Sequence, residues 1–564
     1  MHLWYDAGDF VKFLFPGSAA TTLLAWGLVE FGTAYEAEGE TLNALRQIKG
    51  YGDYLIKSSP EPGIVYGQVG DGKSDHLYWG RAENMNTSEQ LRDTFVHDPD
   101  HPGSDLAGEM SAALSAVAKA FKLNAPDYID QLFGVDLTSS FIDFANLNDM
   151  LDTYEEHARW LLQFAESHPG KYSSENGDAN EYYESYSNED EPVWAAVWMA
   201  YNTETQSDLD HAVAKYDRNM WQLELSWDSK MMGADLLYHK LVGDGKVETK
   251  IKNIIQKTFD IPQSPNGLTF VRKWGSVVHA ANLAFYMVLS QKHGHCGAEC
   301  FQFATEQVDY ILGDGTGHSL MVGGPGPTPP VNPHHSGAFC EAYPIRCDWD
   351  SGYDDNGRNN HFILFGALVG GPDRADDKHS DDRTDYIENE VSVSYNAGIQ
   401  GAIAGILELG GSTVTPVTTT PTTTTKAAPI TNPLSTPAVP VTAPVTQPTS
   451  CLTITGATIA EAEIWWGGGR YVITNFPTHD GYSKVLIGIT GSFDDNPVDV
   501  TVNETWYPFK LKFDLVGVVG SKKWQFQFIT NTEEYTQQIG FNIIHTVNAK
   551  AHVLLTLECL KFCP

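Results

Sequence analysis

Apolar residues recur at helical spacing through most of the chain before residue 411. Between Ser18 and Ser59, Leu24, Leu28 and Phe31 fall on one stripe, and Leu42, Leu45, Ile48, Leu55 and Ile56 repeat it after a short polar break. The same periodicity predicts helices over about 104–122, 152–166, 192–203, 229–242, 246–259, 276–292, 299–312 and 389–409. Long loops rich in Gly, Asp and Tyr separate them. Helical hairpins with long aromatic loops suit a barrel of paired helices whose loops build a site at one end. Periodicity by itself says only that this region is mostly helical.

Past Gly410-Gly411 the pattern stops. Residues 412–450 are dominated by Thr, Pro, Val and Ala, with Lys426 the only charge. Such a stretch buries nothing, stays extended and commonly carries O-glycans in secreted proteins. Beyond it apolar and polar residues alternate: Val498-Asp-Val-Thr-Val502, Phe509-Lys-Leu-Lys-Phe513 and Trp524-Gln-Phe-Gln-Phe528. With Tyr471–Thr474, Val485–Ile489 and His552–Leu557 these predict a small antiparallel β-sandwich. The expected division is 1–411, a 412–450 tether and 451–564, with Trp465, Trp466, Trp506 and Trp524 as candidate sugar-stacking residues or core of the last part.

Composition narrows the class of partner. A chain of 564 residues exceeds what one core usually supports. The formal net charge of −36 argues against nucleic acid, whose phosphates it would repel, and suits a soluble monomer with a neutral partner. No run of about 18 apolar residues appears, so no membrane-spanning helix is expected. Seven cysteines divide into Cys296, Cys300, Cys340, Cys347 and Cys451, Cys559, Cys563, and the odd count leaves a free thiol or an intermolecular bridge. Asn86-Thr-Ser88 and Asn503-Glu-Thr505 are glycosylation sequons, so secretion is expected although no signal peptide precedes Trp4.

Two acidic stretches carry the candidate chemistry. Trp4-Tyr5-Asp6-Ala-Gly-Asp9 places two carboxylates three apart around small residues that let the backbone turn tightly. Two close carboxylates repel, which can tune one of them into a general base. Taken alone, acid pairs around glycine also serve as turn caps or solvated loops. The second stretch is Asp381-Asp-Arg-Thr-Asp-Tyr386-Ile-Glu-Asn-Glu390-Val-Ser-Val-Ser-Tyr395-Asn396-Ala397-Gly398.

Together these stretches resemble the forward and rear signatures of glycoside hydrolase family 9, the inverting endoglucanases, with Asp381, Tyr386, Glu390, Ser392, Asn396 and Ala397 in register. The resemblance implies an (α/α)6 barrel for residues 1–411. It also implies Asp9 as general base, Asp6 positioning the water, Glu390 as general acid, and supporting roles for His334 and Asp381. Inversion wants acid and base on opposite faces, roughly 6.5–9.5 Å apart, with Glu390 kept protonated. His76 and Trp79 in Asp75-His76-Leu-Tyr-Trp79, together with Tyr183, Tyr186, Trp274 and Tyr395, would contact sugar. Trp79 and His76 read without their flanking match are a buried Trp and a satisfied His. Ser187, Asp190, Glu191 and Asp228 match positions that bind calcium in some members, although the spacer before Asp190 is one residue short, and solvated helix caps are the alternative. No cofactor is required for the chemistry.

Several positions depart from the family pattern. Ser336 stands where an Arg usually follows His334-His335, and a hydroxyl cannot mimic a guanidinium fork. Phe10, His279 and His379 replace a His, a Tyr and an aromatic residue. A few dozen N-terminal residues, including a first helix, are absent before Met1 relative to the family, so a truncated N-terminus is expected. A metal site at His334-His335 competes poorly, since no Cys or acid lies at ligand spacing beside it. The expected function is an endo-β-1,4-glucanase acting on cellulose or a related β-glucan, with a carbohydrate-binding C-terminal module. The alternative is a cellulose-binding or wall-associated protein with a weak barrel. Another (α/α) barrel enzyme such as a polysaccharide lyase explains neither the Asp pair nor the spacing to Glu390.

Overall fold

Among the described residues of the first unit, eleven helices of ten or more residues alternate between an inner and an outer position. The computed structural model describes residues 4–411, apart from 86–88, 90, 130–131, 133–141, 143, 342–344, 346, 350–352 and 354–357, and past residue 451 the backbone of nine strands. The chain divides into two compact units, Met1–Thr420 and Pro421–Pro564. The predicted tether at 412–450 and the sequon at Asn86 lie outside the described residues.

The helices, in chain order, are α1 Leu14–Ala37, α2 Thr41–Ser58, α3 Ser104–Asn124, α4 Leu147–Ser167, α5 Asp190–Thr203 and α6 Gln206–Lys215. They continue as α7 Met231–Val242, α8 Gly245–Phe259, α9 Ser276–Lys292, α10 Ala298–Ile311 and α11 Tyr395–Gly411. The odd-numbered helices pack in a closed ring, α1 on α3, then α5, α7, α9, α11 and back to α1. Each even-numbered helix packs outside the helix before it. This is the (α/α)6 barrel.

Sequence chemistry sorts the two rings. Inner α1 is apolar or small around most of its circumference and is buried on nearly every side, whereas outer α8 buries one face, the stripe Val247, Ile251, Ile254 and Ile255 with Lys250 and Thr258 beside it. At the centre Trp26 of α1 meets Trp194 and Trp198 of α5 and Phe285 of α9 edge-on, with centroids 5.5, 5.9 and 5.5 Å away. Between α2, which packs on α1, and α11 the outside of the ring is open among the described residues. An apolar groove of about 890 Å³ remains there, lined by Leu24, Tyr35, Ile48, Ile403, Ala404 and Leu407.

The ring has a functional end and a structural end. α1 begins just after Asp9, α9 just after Trp274 and α11 just after Glu390, so the N-termini of inner helices gather the candidate residues. At the far end Lys240 and Lys292, near the C-termini of α7 and α9, pair with Glu30 and Glu408 at 2.7 and 2.8 Å. A small sheet, β1 Lys12–Phe13, β2 Val65–Val69 and β3 Thr94–His97 in that order, stitches the Asp9 loop to the segment carrying His76. That segment, predicted as loop, contains β2 and a helical turn at Gly72–His76.

Two helix predictions need revision. The helix expected over 389–409 starts only at Tyr395. Tyr386–Asn389 forms a separate turn, after which Glu390 and Val391 are drawn into backbone bridges with His334 and Val369. α6 was not predicted, because it buries only Ala212 and has no apolar stripe to detect.

In the second unit the nine strands are β4 Leu452–Ile454, β5 Thr458–Trp465, β6 Gly468–Thr474, β7 Lys484–Phe493, β8 Val500–Asn503, β9 Asp514–Leu515, β10 Lys523–Ile529, β11 Ile539–His545 and β12 Val553–Cys563. They form two antiparallel sheets, ordered β4-β12-β7-β10-β9 and β5-β6-β11-β8. The predicted segment 509–513 and the side chains of Trp465, Trp466, Trp506, Trp524 and Asn503 lie outside what is described.

Candidate active site

Asp6 and Asp9 sit on one turn because Gly8 separates them. A Cβ there would lie 2.2 Å from the carbonyl oxygen of His334. Only glycine lets the acid loop press against the 334–336 segment. Ser336 then clips the contact, donating from its backbone N and its Oγ to the Gly8 carbonyl at 2.8 and 2.9 Å. From the other side the Val393 amide donates to the Asp6 carbonyl at 2.9 Å, and the His334 amide to the Asn389 carbonyl at 2.8 Å. Residues far apart in the chain thus meet in one place: Asp6, Asp9, His334 and Glu390.

The three carboxylates have different surroundings. Asp6 is buried; the Tyr183 hydroxyl donates to its Oδ2 at 2.5 Å, and its Oδ1 has no hydrogen-bond partner. Burial, reinforced by the Asp9 charge, holds its pKa well above the usual carboxylate range despite Tyr183. Asp9 accepts an ion pair from His76 Nε2 at 2.9 Å. Burial opposes charge on His76, but the hydrogen bond and charge of Asp9 outweigh it and raise His76 to about 9. Of the two aspartates, Asp9 is the one that sits beside a cation. Glu390 keeps a water-accessible edge, yet its carboxyl lies deep in the cleft; burial first, then the Asp9 charge, pushes it up to about 8. The geometry gives one carboxylate able to take a proton and one carboxylic acid able to give it.

His334 sits between them. Its Nδ1 lies 2.7 Å from the Arg383 carbonyl and so carries the proton, while burial lowers the pKa of the ring and keeps it neutral. Its neighbour His335 accepts the Ala338 amide at Nδ1 and caps a short turn. Among the described residues no group of His, Cys, Asp and Glu converges as a metal site, at His334-His335 or elsewhere.

The remaining expected residues divide. Trp274 and Tyr186 are exposed, and the Trp274 ring lies against Tyr386 with centroids 5.6 Å apart. Four expectations change. Trp79 is only 4% exposed: His334, Trp349 and Tyr353 cover its rings at centroid distances of 5.0, 5.3 and 4.7 Å, leaving no face for a sugar. Tyr395 is buried, its hydroxyl close to Gly275, and offers no face to a sugar. Asp381 stands off from the other acids; its Oδ1 and Oδ2 accept the backbone amides of Asn332 and Val331 at 2.9 and 3.0 Å, so it anchors the loop that carries His334. His76, expected on sugar, pairs with Asp9. Ser336 is buried against Gly8 and leaves its family position without a cleft-facing cation.

Sequence reasoning missed Asp75 as a support. Its Oδ1 accepts the Phe10 amide at 3.0 Å and its Oδ2 pairs with Arg92 at 2.7 Å, fixing the backbone just past Asp9. Its place beside His76 was a usable signal; Arg92 had none.

The candidate calcium ligands cluster at the start of α5. Asp190 Oδ2 accepts the Lys230 amide and Gln222 Nε2, each at 2.9 Å, and Asp228 accepts the Tyr186 amide. Asp190 Oδ1 and both Glu191 oxygens are buried without hydrogen-bond partners, which suits a hard cation in kind. Burial raises Glu191 well above its usual range and Asp228 to about 7. The Lys230 ammonium, 3.1 Å from Glu109, already supplies one positive charge nearby. The oxygens do not converge as a formed cage among the described residues.

An acid–base pair in an aromatic cleft, at the N-terminal end of a helical ring, defines a hydrolase acting on a ring-bearing chain. The sequence agrees, matching the description Glycosyl hydrolase family 9 over residues 3–403, and the chain belongs to that family. It is 34% identical over 438 residues to Endoglucanase 15 of Arabidopsis thaliana, covering 72% of this chain and 84% of the relative. An endoglucanase structure from the termite Nasutitermes takasagoensis superposes with a TM-score of 0.66 at 37% identity, covering 72% of this chain and 88% of that one. The cellulase Cel9M of C. cellulolyticum in complex with cellobiose gives 0.62 at 29% identity, covering 72% and 88%. No helix among the described residues is long and apolar enough to cross a membrane.

If Glu390 is the proton donor, hydrolytic activity should fall as pH rises through about 8. A pH–rate profile on a soluble substrate reads this; an alkaline limb below pH ~5, where an unperturbed Glu titrates, would contradict it.

Proposed function

We propose that this chain is an inverting endo-β-1,4-glucanase acting on cellulose or a related β-glucan. The observation that carries the reading is the contrast between Asp9, paired with His76, and Glu390, whose carboxyl burial and the Asp9 charge push up to about 8. In the reaction Asp9 takes a proton from water as the water attacks the anomeric carbon, and Asp6, tied to Tyr183, fixes the water's other side. Glu390 gives its proton to the departing glycosidic oxygen, so the C–O bond breaks without a free alkoxide. His334 and the exposed Trp274 flank the sugar. An intact acid–base set speaks against the wall-associated alternative with an inactive barrel. Glu390→Gln should reduce release of reducing ends from a soluble cellulose derivative by roughly 10²-fold or more, at unchanged substrate binding. Near-normal turnover would remove Glu390 from the role.

The same reading extends to the rest of the chain. We assign residues 451–564 as a β-sandwich carbohydrate-binding module on the 412–450 tether, working as a monomer outside the cell. The disulfides Cys296–Cys300 and Cys340–Cys347 support an oxidising compartment. Removing residues 421–564 should abolish salt-insensitive adsorption to insoluble cellulose while sparing soluble-substrate hydrolysis; equal adsorption by both forms rules the module out.

The chemistry needs no cofactor, but a structural calcium would be held by Asp190 and Glu191 with Ser187 and Asp228 beside them. Chelation should then lower the thermal unfolding midpoint and calcium restore it. An unmoved midpoint removes the ion from the account.

A further inference from the structure

The buried Trp79 shifts attention to what covers it. From Trp274 a row of rings runs across the site, Trp274 to Tyr386 at 5.6 Å, Tyr386 to His334 at 6.0 Å, His334 to Trp79 at 5.0 Å and Trp79 to Trp349 at 5.3 Å. In the middle of the row Trp79 is buried and His334 half-buried. Its ends are open: Trp274 is 47% and Trp349 41% exposed. The two ends lie on different sides of the acids. Trp274 packs on Tyr386, four residues before Glu390, whereas the Trp349 Nε1–H donates to the carbonyl of Leu77 at 2.8 Å, the residue after His76, which holds Asp9.

We propose that Trp349 is a sugar-binding platform on the Asp9 side of the cleft, a specificity-determining contact that takes the pyranose face of a β-linked glucan chain extending past the cleavage point. The assignment rests on the glucanase reading above. A pyranose with equatorial substituents presents a face of C–H groups, which an indole covers while the ring hydroxyls stay in water. A platform is useful only if it is held still, since ordering a loose side chain on binding costs entropy. Trp349 is held three ways. Its indole N–H is tied to Leu77, Tyr353 packs edge-on at 4.5 Å, and the Cys340–Cys347 disulfide closes the chain two residues before it. The indole that the motif near His76 predicts as a platform thus acts as the base on which the exposed one rests. Two bracketing indoles would favour substrates long enough to reach both, as cleavage within a chain requires.

The competing view makes Trp349 only a lid over Trp79, and binding separates the two. In the Glu390→Gln background, affinity for a soluble six-residue β-1,4-glucan is measured by calorimetry alongside the thermal midpoint. Trp349→Ala should weaken binding about tenfold, the upper end of what an aromatic contact contributes, with an unchanged midpoint. Trp349→Phe, which keeps a flat ring, should stay within about threefold of the parent. Equal affinity of the Ala variant and its parent overturns the proposal, as does a loss in Trp349→Phe matching that in Trp349→Ala. If the unmutated chain releases no reducing ends from any β-glucan, the glucanase reading fails while the binding comparison still decides the platform. Hydrolysis together with a silent Trp349→Ala fails the platform alone.

Discussion

The site depends on a backbone splice that joins three distant parts of the chain. Gly8 lies against the His334 carbonyl, Ser336 grips the Gly8 carbonyl, and Val393 grips Asp6. His334 and Glu390 are bridged along their backbones. Each contact is an ordinary hydrogen bond or close approach. Together they bring the two ends of the barrel's sequence to one point, because α1 and α11 are neighbours in a closed ring. A residue larger than glycine at position 8 would separate Asp9 from His334 by pushing on backbone, which cannot rotate away. The buried Ser336 also accounts for the loss of the Arg usual in the family: the position serves the splice and does not face substrate.

Electrostatics follows from this placement. Three carboxylates forced together cannot all ionise cheaply. The protein resolves the conflict by solvation and partners, giving His76 to Asp9, a hydroxyl donor to Asp6 and a buried setting to Glu390. The upward shift of Glu390 has the direction a proton donor needs, which composition alone would not require. His76 itself is held by Gly72, whose carbonyl lies 2.6 Å from its Nδ1, and stacks near Tyr182. Asp9 is thus held by the small sheet and turn beside it.

Much of this was legible in the sequence, and the misses have physical causes. The inner and outer helices announce themselves by periodicity, and the acids by their spacing around Gly8 and Tyr386. Trp79 was misjudged because burial depends on Trp349 and Tyr353, some 270 residues later in the chain, which local flanks cannot reveal. The start of α11 was placed early because Tyr386–Asn389 does turn helically before long-range bridges pull Glu390 out. Asp381 reads as chemistry in a motif, yet its two oxygens are spent on amides fifty and forty-nine residues away. Local pattern finds elements; it does not find who covers whom.

The central claim is that Asp9 delivers water to one face of the sugar while Glu390 protonates the other. Proton NMR of the earliest hydrolysate of a β-1,4-glucan, taken before mutarotation, reads the configuration of the new reducing end. The account predicts the α-anomer first, since a water between base and sugar forces displacement with inversion. A β-anomer appearing first would contradict it, and would withdraw the roles given to both Asp9 and Asp6.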